Sequence, residues 1–234
     1  MAAGAAVYFG GRELVEGAEA DAVEHARWII DLEQRVGLDV ERAVQNVAVD
    51  NELLRTVGNL SYVWLHWPLL IVTLLVLFHR DRSLYIRLRN AMFASGAVAL
   101  VIFAVFPVAP PRFMPGFVGT VTDDARRHYL KFPLHWSNQY AAFPSFHVGW
   151  TLIACLALAA ATAHRRHAVL ALLPAALVGL AVVTTGNHYV IDALVGAAIA
   201  LAAYWWFGPS SASADHVRAQ PPEGLADHGV TSYS

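Results

Sequence analysis

The sequence predicts an all-α protein, a polytopic bundle of helices that crosses a membrane. Hydrophobic residues make up 57% of the 234 residues and charged residues only 15%, whereas a soluble domain carries about 25% charged residues. The apolar residues fall into runs of about 16 to 19 positions, close to the roughly 17–25 that a spanning helix needs. Composition and run length together favour an integral membrane protein.

Residues 12–60 predict two amphipathic helices that precede the spans. Apolar residues recur at helical spacing, as at Ile29 and Val36, and charged residues occupy the opposite faces. Gly37 separates the two helices, and Asp39 is the predicted N-cap of the second. Because each helix carries charges along its polar face, we expect both to lie on the membrane surface or against the bundle. Ordinary solvated helices would show the same pattern.

Residues 1–10 lack the basic start and the long apolar core of a secretory signal peptide. They are also too few to cross about 30 Å of hydrocarbon. We therefore expect either the end of a spanning segment or a segment that lies on the membrane surface.

Five apolar segments predict five transmembrane helices. They cover residues 62–78, 91–108, 148–163, 168–184 and 189–207. Arginines gather in the short connections, at 79–90 and 164–167, and the positive-inside rule makes both connections cytoplasmic. The longer connection, 109–147, then lies outside. It is basic as well, which is easier to explain if it binds an anionic ligand than if it is only solvated.

Three domains are expected. They are an N-terminal interfacial part (1–60), a membrane-embedded catalytic part (61–207) and a disordered cytoplasmic tail (208–234) without apolar periodicity. Lys131 is the single lysine among 16 basic residues. This bias toward arginine suits a GC-rich bacterial genome, so we expect a multi-pass protein of a bacterial cell membrane.

Charge and cysteine content exclude several classes of function. The net charge is −2 at pH 7, and no basic tract is long enough to follow a phosphate backbone, so nucleic acid is not an expected partner. The single cysteine, Cys155, allows neither an intrachain disulfide nor a cysteine metal cage. The expected partners are the bilayer and a lipid.

Two polar motifs interrupt the apolar C-terminal half. The first holds Ser145 and His147 at the start of the third predicted span, and the second holds His188 and Asp192 at the start of the fifth. Ionisable groups at membrane depth cost roughly 2.5 kcal/mol or more, so a functional role is expected. Because successive spans cross the membrane in opposite directions, both motifs lie at the outer boundary, together with Arg112, which follows the second span.

The residue types in these motifs predict acid–base or nucleophilic chemistry on an anion. His188 and Asp192 are four residues apart, roughly 6 Å along a helix. The carboxylate can fix one ring nitrogen and leave the other as a base or nucleophile. Ser145 and the free N–H groups of a helix start predict an anion site, and His147 could protonate a leaving oxygen. Packed or capping roles for these side chains are the alternative.

Together, the motifs resemble those of the type 2 phosphatidic acid phosphatase superfamily, and more narrowly its inositol-phosphorylceramide synthase branch, whose third motif reads His-Tyr-x-x-Asp. The resemblance spans about residues 60 to 207. The motifs that carry it are Pro110-Pro111-Arg112, the run from Asn138 to His147 and the run from Gly186 to Asp192.

That resemblance implies a six-helix membrane fold, no metal or other cofactor, and a phosphoryl-enzyme intermediate. His188 would be the nucleophile and Asp192 would orient it. His147 would act as the general acid that later activates the acceptor, and Arg112 would hold phosphate oxygens. Since five spans are predicted where the family has six, residues 1–10 would be the remnant of a first helix.

The chain departs from the phosphatase pattern at three positions. Val182 stands where the pattern has a phosphate-binding arginine, Val105 where it has a lysine, and Phe113 where it has a proline. Other donors would then complete the phosphate pocket. The candidates are Ser145, Gln139, Asn187, Lys131, Arg126 and Arg127.

The expected function is transfer or hydrolysis of a lipid phosphate at the outer membrane face through a phosphohistidine. The missing arginine and the His-Tyr-x-x-Asp form favour transfer from an inositol or related phospholipid, and a phosphatase acting on phosphatidate or a polyprenyl diphosphate is the close alternative. Two further classes stay open. Two histidines and one aspartate could ligate a metal in a membrane hydrolase, or the same groups could relay protons in a lipid or proton carrier.

Overall fold

The computed structural model describes residues 19–121 and 139–208. Within these two ranges the chain forms helices and no strand, and the predicted all-α fold is confirmed. The predictions for residues 1–10, for Arg126, Arg127 and Lys131, and for the tail beyond residue 208 lie outside the described residues. The helices are α1 (Glu19–Val36), α2 (Glu41–Val49), α3 (Glu52–Arg80), α4 (Arg82–Val105), α5 (Phe146–Ala160), α6 (Arg165–Thr184) and α7 (Val190–Trp206).

All five predicted apolar segments are helical. Three helices, α3, α4 and α6, are long and apolar enough to cross a membrane. Helices α5 and α7 are equally apolar in character but shorter, at 15 and 17 residues. The structure is thus that of a helical membrane protein, and the division into three domains stays a prediction.

Helix α3 begins ten residues before the predicted span, at Glu52 instead of residue 62. Asn51 caps it, because the side-chain oxygen of Asn51 accepts a hydrogen bond of 3.1 Å from the backbone N–H of Leu54. Residues Ser61–Leu65 form a π-helical turn inside the helix. Such turns occur frequently at functional sites.

The N-terminal helices α1 and α2 pack against the bundle, where α1 contacts α7 and α2 contacts α6. This is one of the two placements that the sequence predicted. Gly37 ends α1 in the left-handed conformation, with φ of 72°, which glycine adopts at little cost. The prediction of Asp39 as the N-cap of α2 is wrong. The N-cap is Val40, one residue later, and no side chain caps this end.

Close backbone contact joins α5 to α7. A Cβ atom added at Gly149 would collide with the carbonyl oxygen of Gly196, and one added at Gly196 would collide with the backbone of Ser145. Small residues allow membrane helices to approach in this way. The backbone N–H of Ser145 also donates to the carbonyl of Asp192, at 2.9 Å. This packing brings the starts of α5 and α7, which carry the two polar motifs, side by side.

Candidate active site

The three sequence motifs meet at one end of the bundle. The ring centroids of His147 and His188 are 5.8 Å apart. The Asp192 carboxylate lies 3.5 Å from Nδ1 of His188. The guanidinium of Arg112 donates to the side-chain oxygen of Asn187, the residue before His188. The backbone of the Arg112 segment is tied to the same loop, because the Arg112 N–H donates to the carbonyl of Gly186 at 2.9 Å.

His188 is buried, and its tautomer is set by its surroundings. Nδ1 lies 2.7 Å from the carbonyl oxygen of Ala142. A carbonyl only accepts, so Nδ1 carries the proton and donates it, and the lone pair resides on Nε2. Burial lowers the pKa of His188 to about 4, the Ala142 bond acts against that shift, and the charge of Arg112 adds to it. The ring is therefore neutral near pH 7, with Nε2 available as a nucleophile or base.

Asp192 lies in the first turn of α7 and is fully buried. Its Oδ2 atom accepts a hydrogen bond of 2.9 Å from the backbone N–H of Tyr189, as in a capping box. Its Oδ1 atom has no hydrogen-bond partner. The carboxylate thus stands beside His188 while it fixes the start of α7, and Ala142 makes the shorter contact to the imidazole.

His147 is held by two side chains that the sequence did not single out. The ring of Tyr62 stacks on His147 at a centroid distance of 4.6 Å, and the ring of His66 lies 4.6 Å away, tilted by 40°. Nδ1 of His66 is 2.8 Å from the hydroxyl of Thr151, one turn beyond His147 on α5. One sequence feature could have identified these two residues. Tyr62 and His66 are four positions apart on one helix face, at the start of a predicted span and at the same membrane level as His147.

Two buried donors at the site lack a partner. The Oγ of Ser145 and the Nε of Arg112 are both shielded from solvent and make no hydrogen bond. Leaving such a group unsatisfied costs about 1–3 kcal/mol or more. Burial lowers the pKa of Arg112, but a guanidinium keeps its charge in proteins. The pair of donors is therefore suited to an anion, and the start of α5 adds a favourable helix dipole.

The other predicted phosphate ligands lie in different settings. Gln139 is exposed, and Lys131 falls outside the described residues. Asn187 holds Arg112 with its side-chain oxygen and donates to the Thr185 hydroxyl at 2.7 Å. Val182, at the position of the missing arginine, is fully buried in an apolar cluster that includes Val44. Phosphate binding by Gln139, Asn187 and Lys131 stays a prediction.

The metal alternative finds no ready ligand set in the described part of the chain. Across residues 19–121 and 139–208, no group of three or more His, Cys, Asp or Glu side chains is arranged to hold a metal ion. The histidines instead contact aromatic rings, a hydroxyl and a backbone carbonyl. What the arrangement offers is a neutral imidazole with a free nitrogen, a second imidazole opposite it, and donors for an anion.

The fold and the site together are those of a helical membrane protein with histidine, aspartate and arginine side chains gathered at one end of the bundle. A family model described as the PAP2 superfamily matches residues 27–206, so the chain belongs to the PAP2 superfamily. Comparisons with curated proteins and with solved structures gave no match. The predicted superfamily is confirmed, and the inositol branch stays a prediction. The match also includes most of α1 and all of α2, which the sequence motifs had left outside the resemblance.

Proposed function

We propose that this protein is a membrane phosphotransferase that moves the phosphoryl group or the phosphorylated head group of a lipid phosphate through a covalent intermediate on His188. One observation carries the proposal: Arg112 Nε and Ser145 Oγ are buried donors without a partner, and both residues are hydrogen-bonded to the segment that carries His188, whose Nε2 is free. An anion that carries oxygen atoms would satisfy both donors. Membership of the PAP2 superfamily supports a phosphorylated lipid as that anion.

The reaction would take place in two displacements. In the first, the Nε2 lone pair of His188 attacks phosphorus, the bond from phosphorus to the leaving oxygen breaks, and protonated His147 gives that oxygen its proton. In the second, neutral His147 takes a proton from the acceptor hydroxyl, whose oxygen attacks phosphorus. The bond between phosphorus and Nε2 then breaks and the imidazole is restored. His147 is suited to both steps because its ring faces His188 at 5.8 Å.

Charge stabilisation is the other requirement of phosphoryl transfer. Arg112 would bind oxygen atoms of the phosphoryl group through its unpartnered Nε, while Asn187 holds another edge of the guanidinium in place. Asp192 would stabilise the positive charge that His188 acquires when Nε2 forms its bond to phosphorus. These contacts support the proposed roles of the two residues.

The proposed site opens at the outer face of the membrane. Arg80 and Arg82 lie at the end of α3 and the start of α4, and Tyr62 and His66 of the site lie near the other end of α3. The positive-inside rule then puts the arginines in the cytoplasm and the site outside.

For the donor we propose an inositol or related phospholipid, because the third motif reads His188-Tyr189-x-x-Asp192 and Val182 replaces the phosphatase arginine.

The test is turnover of labelled lipid phosphates by purified protein in detergent. The panel contains an inositol phospholipid, phosphatidate and a polyprenyl diphosphate, each with and without a hydroxylated lipid acceptor. We expect His188→Ala to abolish turnover and His164→Ala, a change at an exposed histidine, to leave it unchanged. Turnover that survives in His188→Ala would contradict the proposal.

The same panel separates the alternatives. Label that appears on the acceptor lipid identifies transfer, and label released in the presence of acceptor as inorganic phosphate or as a phosphorylated head group identifies hydrolysis. Loss of turnover with a chelator, restored by added metal, would identify the metal-dependent hydrolase. Trapping of labelled phosphate on His188, stable to base and labile to acid, would identify the intermediate.

A further inference from the structure

Helices α1 and α2 each bury a glutamate at the bundle. Glu33 is 1% exposed and Glu41 is 3% exposed, although glutamate is almost never fully buried unless it is paired. The other acidic residues of α1, such as Glu24 and Asp31, are exposed. Burial of these two side chains therefore requires a specific reason.

That reason is the start of α7. An Oε1 atom of Glu41 accepts a hydrogen bond of 2.8 Å from the backbone N–H of Val190. An Oε1 atom of Glu33 accepts one of 2.8 Å from the N–H of Ile191. Asp192 binds the N–H of Tyr189 in the same way. The first N–H groups of a helix have no partner within the helix, and here three carboxyl groups satisfy three of them in succession.

The two glutamates lie close enough for their carboxyl groups to interact. A hydrogen bond between two carboxyl groups requires that one of them hold a proton. Burial raises the pKa of Glu33 to about 9, and the neighbouring carboxylates Glu41 and Asp192 act in the same direction. Tyr189 and Arg42 are ionisable groups near the pair, and Asp39 lines the same small pocket. Glu33 is therefore the partner that holds the proton near neutral pH.

We propose that Glu33 and Glu41 are positioning residues that hold the reactive geometry of His188 and Asp192. Val190 and Ile191, whose amides they bind, are the residues between Tyr189 and Asp192, and His188 directly precedes this turn. The N-terminal helices would thus be part of the catalytic unit and more than a membrane-surface attachment. This inference rests on the proposed role of His188.

The test compares four variants for kcat, KM and amide exchange of the peptide that contains Val190 and Ile191. Glu33→Ala and Glu41→Ala remove the acceptors, and we expect kcat to fall about 10- to 100-fold, because a displacement of about 1 Å can cost 100-fold in rate. KM should change less than about threefold, and exchange should be faster. Glu24→Ala on the exposed face of α1 is the control and should match the wild type.

Glu33→Gln provides the conservative variant. Its amide offers the same oxygen to Ile191 and an N–H to Glu41, as the protonated acid does, so kcat should stay within about threefold of the wild type. If an alanine variant fails to fold, Glu33→Asp replaces it. That side chain keeps the carboxyl group but is one methylene too short, and we expect the same loss of kcat and of protection.

Three results would overturn the inference: unchanged kcat and exchange in folded alanine variants, the same changes in Glu24→Ala, or a folded Glu33→Gln as slow as Glu33→Ala. A failure of the proposed function is recognised separately. It would appear as no turnover by the wild type or full turnover by His188→Ala. In either case the exchange of Val190 and Ile191 still decides whether the two glutamates hold the start of α7.

Discussion

The Nδ1 atom of His188 lies 2.7 Å from the backbone carbonyl of Ala142 and 3.5 Å from the carboxylate of Asp192. The shorter contact fixes the tautomer, and the longer one would supply negative charge when the imidazole becomes cationic. Removal of the charge should therefore leave the ring in its reactive orientation, since a backbone carbonyl is not lost by mutation.

Asp192→Asn separates these two contributions. The amide oxygen can still accept the Tyr189 N–H bond, so α7 should form normally. We expect kcat to fall about 100-fold, because the cationic form of His188 loses its stabilising charge, while His188→Ala abolishes turnover. Steady-state kinetics of the two variants check this, with Asp31→Asn, at an exposed site, as the control. A loss in Asp192→Asn as complete as in His188→Ala would show that the carboxylate sets the orientation after all.

His66→Phe tests the support of His147. Phenylalanine keeps a ring against His147 but loses the 2.8 Å contact to the Thr151 hydroxyl. We expect kcat to fall about tenfold with KM little changed, because the bond to Thr151 that holds residue 66 beside the proton donor His147 is lost. His79→Phe changes an exposed histidine on the same helix and should behave as the wild type. Equal activity of His66→Phe and the wild type would show that His66 only fills space.

Gly196→Ala and its counterpart Gly179→Ala test the contact of α5 with α7. The new methyl group at residue 196 would meet the Ser145 backbone, whereas a Cβ at residue 179 would meet nothing within 4 Å. We expect Gly196→Ala to lower thermal stability and activity together, because the two motifs are forced apart. Gly179→Ala should be neutral or stabilising by up to about 1 kcal/mol, as alanine favours helix over glycine. Melting temperatures in detergent give the comparison.

The stability of the protein should depend on pH through Glu33. Its pKa rises from 4.5 to about 9 on folding, so the folded state binds the proton more tightly than the unfolded state does. The stability that it contributes is complete below pH 4.5 and is lost as pH rises through about 9.

Thermal unfolding of the wild type and Glu33→Gln between pH 5 and 10 checks this dependence. The variant cannot titrate at residue 33, so the wild type should lose melting temperature relative to Glu33→Gln as pH increases. A constant difference between the two proteins across that range would contradict a proton held at Glu33.

Hydropathy and the alternating direction of successive spans predicted much of the architecture from the sequence. The segments 62–78 and 189–207 became parts of α3 and α7, and the motifs with His147 and His188 met at one end. These features follow from solvent partition and chain direction, which local sequence records. The early start of α3 was missed because residues 52–61 are too polar to extend an apolar run, although Asn51 is a recognisable cap.

The contacts around the site depended on tertiary packing that no local pattern contains. Glu33 and Glu41 occur on charged helix faces that look solvated, and their burial follows from the docking of α1 and α2 on the start of α7. The carbonyl of Ala142 could not be predicted as the partner of His188, because a backbone acceptor has no residue-type signal. The contact of His66 with Thr151 likewise arises only when α3 packs against α5.

The glycine contact between α5 and α7 also limits how the surrounding lipid can change the site. Bilayers differ in thickness, and spanning helices adapt mainly by tilting. Since only backbone atoms lie between Gly196 and Ser145, these two short helices can tilt together but cannot slide along each other without a collision. The spacing of the two histidines is therefore insulated from membrane thickness, and the same catalytic geometry can be kept in membranes of different lipid composition.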